Sequence, residues 1–386
     1  MCRSGSLIVC LHNLDCSGAN QVILNIVQGA VHGGNVIILS PRPGPMSKRF
    51  VDCGVSIRIG ILTDLLLSIR DAFLVICNTI MTADLVVAVA QSGHPLVWIV
   101  HEWWTEQMIT ENFSLRGLIG YDISVVKKAM HVASHIVFVS RGQQELYLPV
   151  APSSVIHVGV PDPWVGLTIP PTSVPTSPIS TLAPVVFLVL GIVCPRKNQL
   201  WAVELFKELK RVLLATVAET DGKAVFPPIQ LAVVGARYNR TYEVEYLKEV
   251  SLAIENDADI TLHPVTDDVA SHFEHSHILL FPSLNEVTPL VIIEAMSYGL
   301  PVLSTDVGGI SELVRDGIEG YLVTPGDTAT MVAHMARLVQ APELCNSLGT
   351  AGRLRYSSLF KLSRMASKYQ QLMLHVAPPV ILIVSC

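Results

Sequence analysis

The sequence predicts an α/β protein made of two Rossmann-like domains, with parallel sheets facing each other across a cleft. Three observations predict it. Short apolar runs alternate with longer amphipathic stretches along most of the 386 residues, and strand–helix–strand alternation means parallel strands joined by helical crossovers. Half of the residues are apolar and 15% are charged, a balance that suits strands covered on both faces. The length accommodates two cores of ordinary size, and one Pro-rich break divides the alternation into halves.

In the first half, strands are predicted at Leu7–Leu11, Val36–Ser40, Phe73–Cys77, Leu96–His101 and Ile136–Ser140, with helices such as Ala19–His32 and Met81–Ser92 between them. Residues 161–184 then carry seven prolines among many Ser and Thr. Such a stretch forms neither a helix nor a central strand and reads as a linker or surface insertion. Alternation resumes with strands at Val185–Leu190, Ile229–Val234, Ile260–Leu262, Ile278–Phe281, Val302–Ser304 and Tyr321–Val323, followed by a mainly helical Thr328–Met373. The expected organisation is a first domain over 1–160, a linker over 161–184, a second domain over 185–375 and an apolar tail over 376–386. In such sheets ligands bind beyond the carboxyl ends of the strands, so functional residues are expected just after strands.

The net charge of −6 gives no global basic surface for nucleic acid. The eight cysteines, at 2, 10, 16, 53, 77, 194, 345 and 386, form no CxxC pair and no zinc spacing; they read as reduced thiols of a cytoplasmic protein. The run Leu7–Leu11 is too short for a signal peptide, and no stretch has membrane-spanning length. Membrane contact is expected to be peripheral at most, since no basic amphipathic helix stands out.

The strongest chemical signal is Phe281–Pro301, FPSLNEVTPLVIIEAMSYGLP. A strand ends at Phe281, a loop holds Glu286, and a helix is predicted from Pro289, with Thr288 as N-cap. Gly299 ends that helix. Its faces are apolar nearly all round, so a carboxylate within it, Glu294, is costly unless partnered. A ligand's hydroxyls would partner it; so would a buried Arg or a neighbouring strand. The N–H groups at the helix mouth favour a polar or anionic ligand near Glu286.

A strand–Pro–Ser turn followed by Glu-x7-Glu resembles the signature of the retaining glycosyltransferases of family 4, which have the GT-B fold. The run Val302–Thr324, with DVGGISELV and DGIEGYLV, is similar to the same family. The resemblance implies that Glu286 contacts the donor sugar and Glu294 the ribose hydroxyls. It also brings the backbone of Val287, Thr288 and Leu290 to the sugar and phosphates. After the strand Val185–Leu190 comes GIVCPRKNQL, where the family shows Gly-Arg and then a Lys five residues past the Arg. Lys197 matches the Lys, Ile192 stands where the Arg is expected, and Arg196 offers a second cation. Cations there would neutralise a departing nucleoside diphosphate, although a basic pair opening a helix is otherwise an ordinary solvated surface.

In the first half, Trp98–Trp104, WIVHEWW, resembles the family's strand running into a His that lies against the donor sugar. His101 takes that place, with Glu102 beside it; a His after a buried strand is otherwise a satisfied core residue. The loop Leu14–Asn20 looks like the family's Gly-Gly-Ala loop with Ser17 in the first Gly position, so Gly18 would approach the diphosphate or acceptor. Gly235, after LAVV, and Thr266 in Val265-Thr266-Asp267 fall near the nucleotide in relatives. Ser140-Arg141 and Val158–Pro161 resemble the end of the family's first domain.

The resemblance thus implies a hexosyl transfer with retention from a nucleotide-diphosphate sugar, UDP-sugar first and GDP-mannose next, to a sugar, lipid or protein acceptor. It implies His101, Lys197 and Glu286 as catalytic residues and Gly18, Arg196, Gly235, Thr266, Val287, Thr288, Leu290 and Glu294 as donor-binding ones, with no cofactor and no metal. His272, His275 and His277 carry a weak metal reading. No GxGxxG follows the first strand, against a dinucleotide oxidoreductase. A silent nucleotide-sugar-binding protein of the same fold, or a nucleotide-sugar epimerase, are the alternatives.

Overall fold

The computed structural model describes residues 5–31, 35–60, 67–115, 123–165, 183–237 and 240–378. The chain forms two compact units: Met1–Pro161 with Phe360–Cys386, and Asp162–Leu359.

Among the described residues the first unit has seven strands: β1 Ser6–Cys10, β2 Asn35–Ser40, β3 Ser56–Ile59, β4 Ala72–Asn78, β5 Leu96–Val100, β6 His135–Phe138 and β7 Ser153–Val155. They run parallel in the order β3-β2-β1-β4-β5-β6-β7. Strands β1, β4, β5 and β6 are buried along nearly their whole length, so their apolar runs are continuous rather than alternating. Six helices connect them among the described residues: α1 Gly18–Ala30, α2 Met46–Asp52, α3 Ala83–Gln91, α4 Glu106–Leu115, α5 Ile123–Val132 and α6 Arg141–Tyr147. The Ser17 hydroxyl caps α1 by accepting from the Asn20 N–H at 3.2 Å.

The second unit has β8 Val185–Leu190, β9 Ile229–Ala236, β10 Ile260–Pro264, β11 Ile278–Phe281, β12 Val302–Thr305 and β13 Gly320–Val323, all parallel in the order β10-β9-β8-β11-β12-β13. Its helices are α7 Gln199–Glu219, α8 Thr241–Ile254, α9 Val269–Glu274, α10 Leu290–Tyr298, α11 Ile310–Leu313, α12 Thr328–Gln340 and α13 Pro342–Arg355. The core gathers Phe187, Phe206, Leu209, Leu231, Val250 and Leu280, all completely buried.

The last helix, α14 Leu362–Val376, belongs to the first unit, whereas the sequence reading continued the second domain to 375. It packs on α1: a Cβ built on Gly29 would stand 2.9 Å from the Ala366 Cβ, so Gly29 lets the two helices approach closely. Of the stretch read as a linker, Asp162–Trp164 is fixed in the second unit. Arg353 donates to both Asp162 carboxylate oxygens, at 2.8 and 3.0 Å, and the Trp164 indole N–H donates to the Ser297 carbonyl at 3.2 Å. Residues 166–182 lie outside the described residues, as do the tail residues from 379.

Both sheets reverse strand order once, between β1 and β4 and between β8 and β11. Those are the two positions at which an open parallel sheet offers a ligand crevice. Among the described residues, no helix is long and apolar enough to cross a membrane.

Candidate functional site

In the second unit, the loops after β8 and β11 meet at the strand-order reversal. Gly191 follows β8 with φ 145°, and Gly235, the penultimate residue of β9, has φ 129°. A Cβ on Gly235 would lie 2.1 Å from the Gly191 carbonyl oxygen, so only glycine allows these two turns to touch. The buried Gln199 side chain then ties the loop down. It donates to the Ile192 carbonyl at 3.0 Å and accepts from the Cys194 N–H at 3.2 Å. The result is a 3₁₀ turn at Pro195–Lys197, with α7 starting two residues later; the basic pair therefore precedes the helix rather than opening it.

That turn is stitched to the loop after β11. The Arg196 carbonyl accepts from the Leu284 N–H at 2.8 Å, with the Ser283 Oγ 3.1 Å away. The stitching brings three donors onto one oxygen of Glu286: Arg196 Nη1 at 2.6 Å, Lys197 Nζ at 2.6 Å and Ser283 Oγ at 2.7 Å, all on Oε1. Oε2 has no hydrogen-bond partner among the described residues. Lys197 also lies 4.5 Å from the centre of the Phe281 ring, where the ring face attracts a cation. Lys197 and Glu286 are 14% and 10% exposed, and Arg196 is 52% exposed. The first pair is thus the strong one, and the Arg196 contact is weakened by solvent. Burial opposes the Glu286 charge, but Lys197 and Arg196 outweigh it and hold the carboxyl below its ordinary value. Burial pulls the Lys197 ammonium below its ordinary value, with Glu286 opposing.

Glu294 lies on α10. Its carboxylate has no hydrogen bond or ion pair among the described residues, so neither of the structural partners conceivable from sequence is present; its backbone carbonyl accepts from the Ser297 hydroxyl at 2.6 Å. Burial alone pushes its carboxyl up to about 7. The N-cap of α10 is Pro289, without a side-chain cap; Thr288, expected there, precedes it. A capping hydroxyl needs an extended N-cap residue next to the first helical N–H groups, and the extended residue here is Pro289, with φ −66° and ψ 120°. Gly299 ends α10 in the left-handed region, as expected. Val287 is buried, while Thr288 and Leu290 are half-buried at the helix mouth. Thr266 is held beside the end of β9 because the Val265 N–H donates to the Ala236 carbonyl at 3.0 Å.

The three histidines singled out for a metal go to separate partners. His277 Nδ1 accepts from the Val186 N–H at 3.1 Å, His275 Nδ1 is 2.7 Å from the Ser271 carbonyl, and the His272 ring meets the His263 ring edge-on at 5.2 Å. No group of three or more His, Cys, Asp or Glu side chains suited to a metal occurs among the described residues.

In the first unit, His101 follows β5 directly. Its Nε2 is 2.9 Å from the Asn78 Oδ1, which makes Nε2 the protonated nitrogen. Nδ1 has no hydrogen bond among the described residues. Burial, with His12 adding to it, pushes the imidazole down to about 3, so the ring is neutral at physiological pH. Glu102 serves the backbone: its Oε2 accepts from the Ile80 N–H at 2.8 Å and the His101 N–H at 3.1 Å. Gly18 is the first residue of α1 rather than a loop residue. Sequence reasoning missed Asn78, Thr79, Ser283 and Gln199. Asn78-Thr79 directly follows the apolar run of β4, Ser283 is the Ser of the strand–Pro–Ser turn, and Gln199, in the run after β8, carries no signal of its own.

This architecture defines the GT-B fold class, two Rossmann-like parallel-sheet units in one chain. Residues 180–355 match the model of the Glycosyl transferases group 1 family. The chain is 32% identical over 183 residues to a D-inositol 3-phosphate glycosyltransferase of Geodermatophilus obscurus, covering 47% of this chain and 38% of that protein. It is 32% identical over 130 residues to an uncharacterized glycosyltransferase of Haemophilus influenzae, covering 33% and 36%. The chain thus spans little more than a third of these curated relatives' length. Among solved structures, Anabaena HepE in complex with UDP and glucose superposes with a TM-score of 0.77 at 15% identity, over 96% of this chain and 99% of that one; at that identity the likeness is one of fold.

Proposed function

We propose that the chain is a retaining glycosyltransferase that moves a hexosyl group from a nucleotide-diphosphate sugar to an acceptor hydroxyl. One observation carries this reading. At the strand-order reversal of the second unit, a carboxylate has one oxygen saturated by three donors and the other open, with two cations beside it. Lys197 and Arg196 suit a departing diphosphate, whose developing charge they stabilise. The open Oε2 of Glu286 suits a sugar hydroxyl. Glu294, unpartnered and pushed up to about 7, suits the ribose diol, which would satisfy it as no protein group does. The helix mouth at 287–290 supplies backbone to the sugar and phosphates, with Gly235 and Thr266 near the nucleotide.

The first unit, with neutral His101 and Gly18, is the acceptor side of this reading. The two Glu286 and Glu294 carboxylates have donor-binding tasks, so retention points to front-face attack with the donor phosphate assisting deprotonation. No metal or other cofactor enters the scheme. UDP-sugar is favoured, supported by the UDP and glucose in the Anabaena structure, with GDP-mannose next. The setting is cytoplasmic, with membrane contact at most peripheral, and the acceptor class, sugar, lipid or protein, is open.

The test is nucleoside diphosphate release from UDP-glucose, UDP-N-acetylglucosamine and GDP-mannose with a panel of hydroxyl acceptors, followed by proton NMR of the product's anomeric centre. Acceptor-dependent release with an α-linked product from an α-configured donor is expected. A β-linked product contradicts retention. Ile192, where a cation is expected, favours a second reading, a silent nucleotide-sugar binder. In that case the donor binds without release, and Ile192→Arg brings turnover. An epimerase would instead alter the donor with no acceptor present.

A further inference from the structure

Strand β12 is buried along its whole length, yet it does not end as an apolar run. Val302 and Leu303 are followed by Ser304 and Thr305, both completely buried. A buried hydroxyl is costly unless it is bonded, and valine fills the place of threonine on a buried strand without that cost. Both hydroxyls are spent on the end of β11 and the loop beyond it. The two strands pair in parallel as far as Phe281 and Ser304. The next residue on the β11 side, Pro282, has no N–H with which to extend the ladder. Side chains take over from there: the Ser304 Oγ lies 3.1 Å from the Phe281 carbonyl oxygen, and the Thr305 hydroxyl donates to the Ser283 carbonyl.

Ser283 is the residue whose own hydroxyl reaches Glu286. That hydroxyl has one proton and two acceptors in range, Glu286 Oε1 at 2.7 Å and the Arg196 carbonyl at 3.1 Å. The carboxylate is the closer and the charged acceptor, so the proton goes to it. Arg196 and Lys197 hold the same oxygen, but their long side chains can follow a carboxylate that moves. Ser283 cannot. It is completely buried, its side chain is short, and its carbonyl is tied to β12.

Taking the second unit as the donor side of a glycosyltransferase, we infer that Thr305 is a positioning residue for recognition of the donor sugar. Its hydroxyl holds the Ser283 carbonyl, the Ser283 hydroxyl holds Oε1 of Glu286, and Oε2 is left at a fixed place for a sugar hydroxyl. Thr305 is completely buried and acts only through Ser283.

Three variants separate the links. Thr305→Val keeps the branched shape without the hydroxyl, Thr305→Ser keeps the hydroxyl, and Ser283→Ala removes the group that touches Glu286. Carbon-13 NMR of glutamate Cδ labels on the full chain, with the Glu286 signal assigned from Glu286→Gln, follows that carboxyl from pH 7 down to pH 4. A hydrogen bond to the charged form holds a carboxyl down. Glu286 is therefore expected to take up its proton at higher pH in Thr305→Val and Ser283→Ala than in wild type and Thr305→Ser. Calorimetric titration then compares UDP with UDP-glucose and GDP with GDP-mannose. Thr305→Val and Ser283→Ala should bind the nucleotide sugar at least about fivefold more weakly than wild type, the size of one lost hydrogen bond. The nucleoside diphosphate alone should bind within about twofold of wild type, because the loss is confined to the sugar. An unchanged Glu286 titration in Thr305→Val overturns the inference. So does equal weakening of nucleotide and nucleotide sugar, or a Thr305→Ser that behaves like Thr305→Val. Thr305→Ala makes the same comparison should Thr305→Val not fold. A wild type that binds none of the four ligands overturns the donor-site reading instead, and the Glu286 titration alone then decides the role of Thr305.

Discussion

Glu294 is the residue at which physical cost and proposed function are most directly linked. A carboxyl that burial raises from 4.5 to about 7 binds its proton more tightly folded than unfolded. Its contribution to stability is therefore present below about pH 4.5 and is lost as the pH rises through 7. Glu294→Gln removes the ionisation while keeping the shape. Its melting temperature is expected to match wild type near pH 4.5 and to exceed it increasingly up to pH 7.5, read by thermal unfolding across that range. Equal melting temperatures at pH 7.5 would mean that Glu294 is partnered in solution. The sequence made this carboxylate visible because an apolar helix leaves a single Glu conspicuous. The asymmetry of Glu286, one oxygen saturated and one open, was not legible. It depends on Ser283 and on a 3₁₀ turn that places Arg196 and Lys197 on the same side, and neither follows from spacing.

At the scale of elements, the contact between the turns at Gly191 and Gly235 positions the whole basic loop. Gly235→Ala would put a methyl into the Gly191 carbonyl and force a side chain into φ 129°. A loss of about 3 kcal/mol from overpacking and strain together is expected, measured by urea unfolding, with weakened nucleotide binding. A loss below about 0.5 kcal/mol would show that the two turns separate freely. The strands that sequence reading found, β10 apart, were those with continuous apolar runs. It missed β3, SIRI, and β7, SSV, because both are short edge strands without a buried face. The cap of α10 was misplaced because a Thr-Pro pair reads as N-cap and first helical residue, whereas here the proline itself is the extended cap.

For the whole molecule, two Rossmann-like units were legible from alternation and from the Pro-rich break, but the path of the chain between them was not. Helix α14 looks in sequence like a continuation of α12 and α13; only tertiary packing of its Ala366 face on Gly29 assigns it to the first unit. We propose the second unit as a nucleotide-sugar site built on Lys197, Glu286 and Glu294. Its most direct test is a thermal-shift series with UDP, GDP, ADP and their common sugars on wild type, Lys197→Ala and Glu294→Ala. A ligand that binds only the folded state raises the melting temperature by mass action. One nucleotide class is expected to raise that of wild type, and the shift should vanish in both variants while each stays folded. Folded wild type that shows no shift with any nucleotide, or a shift that survives both substitutions, would contradict the claim.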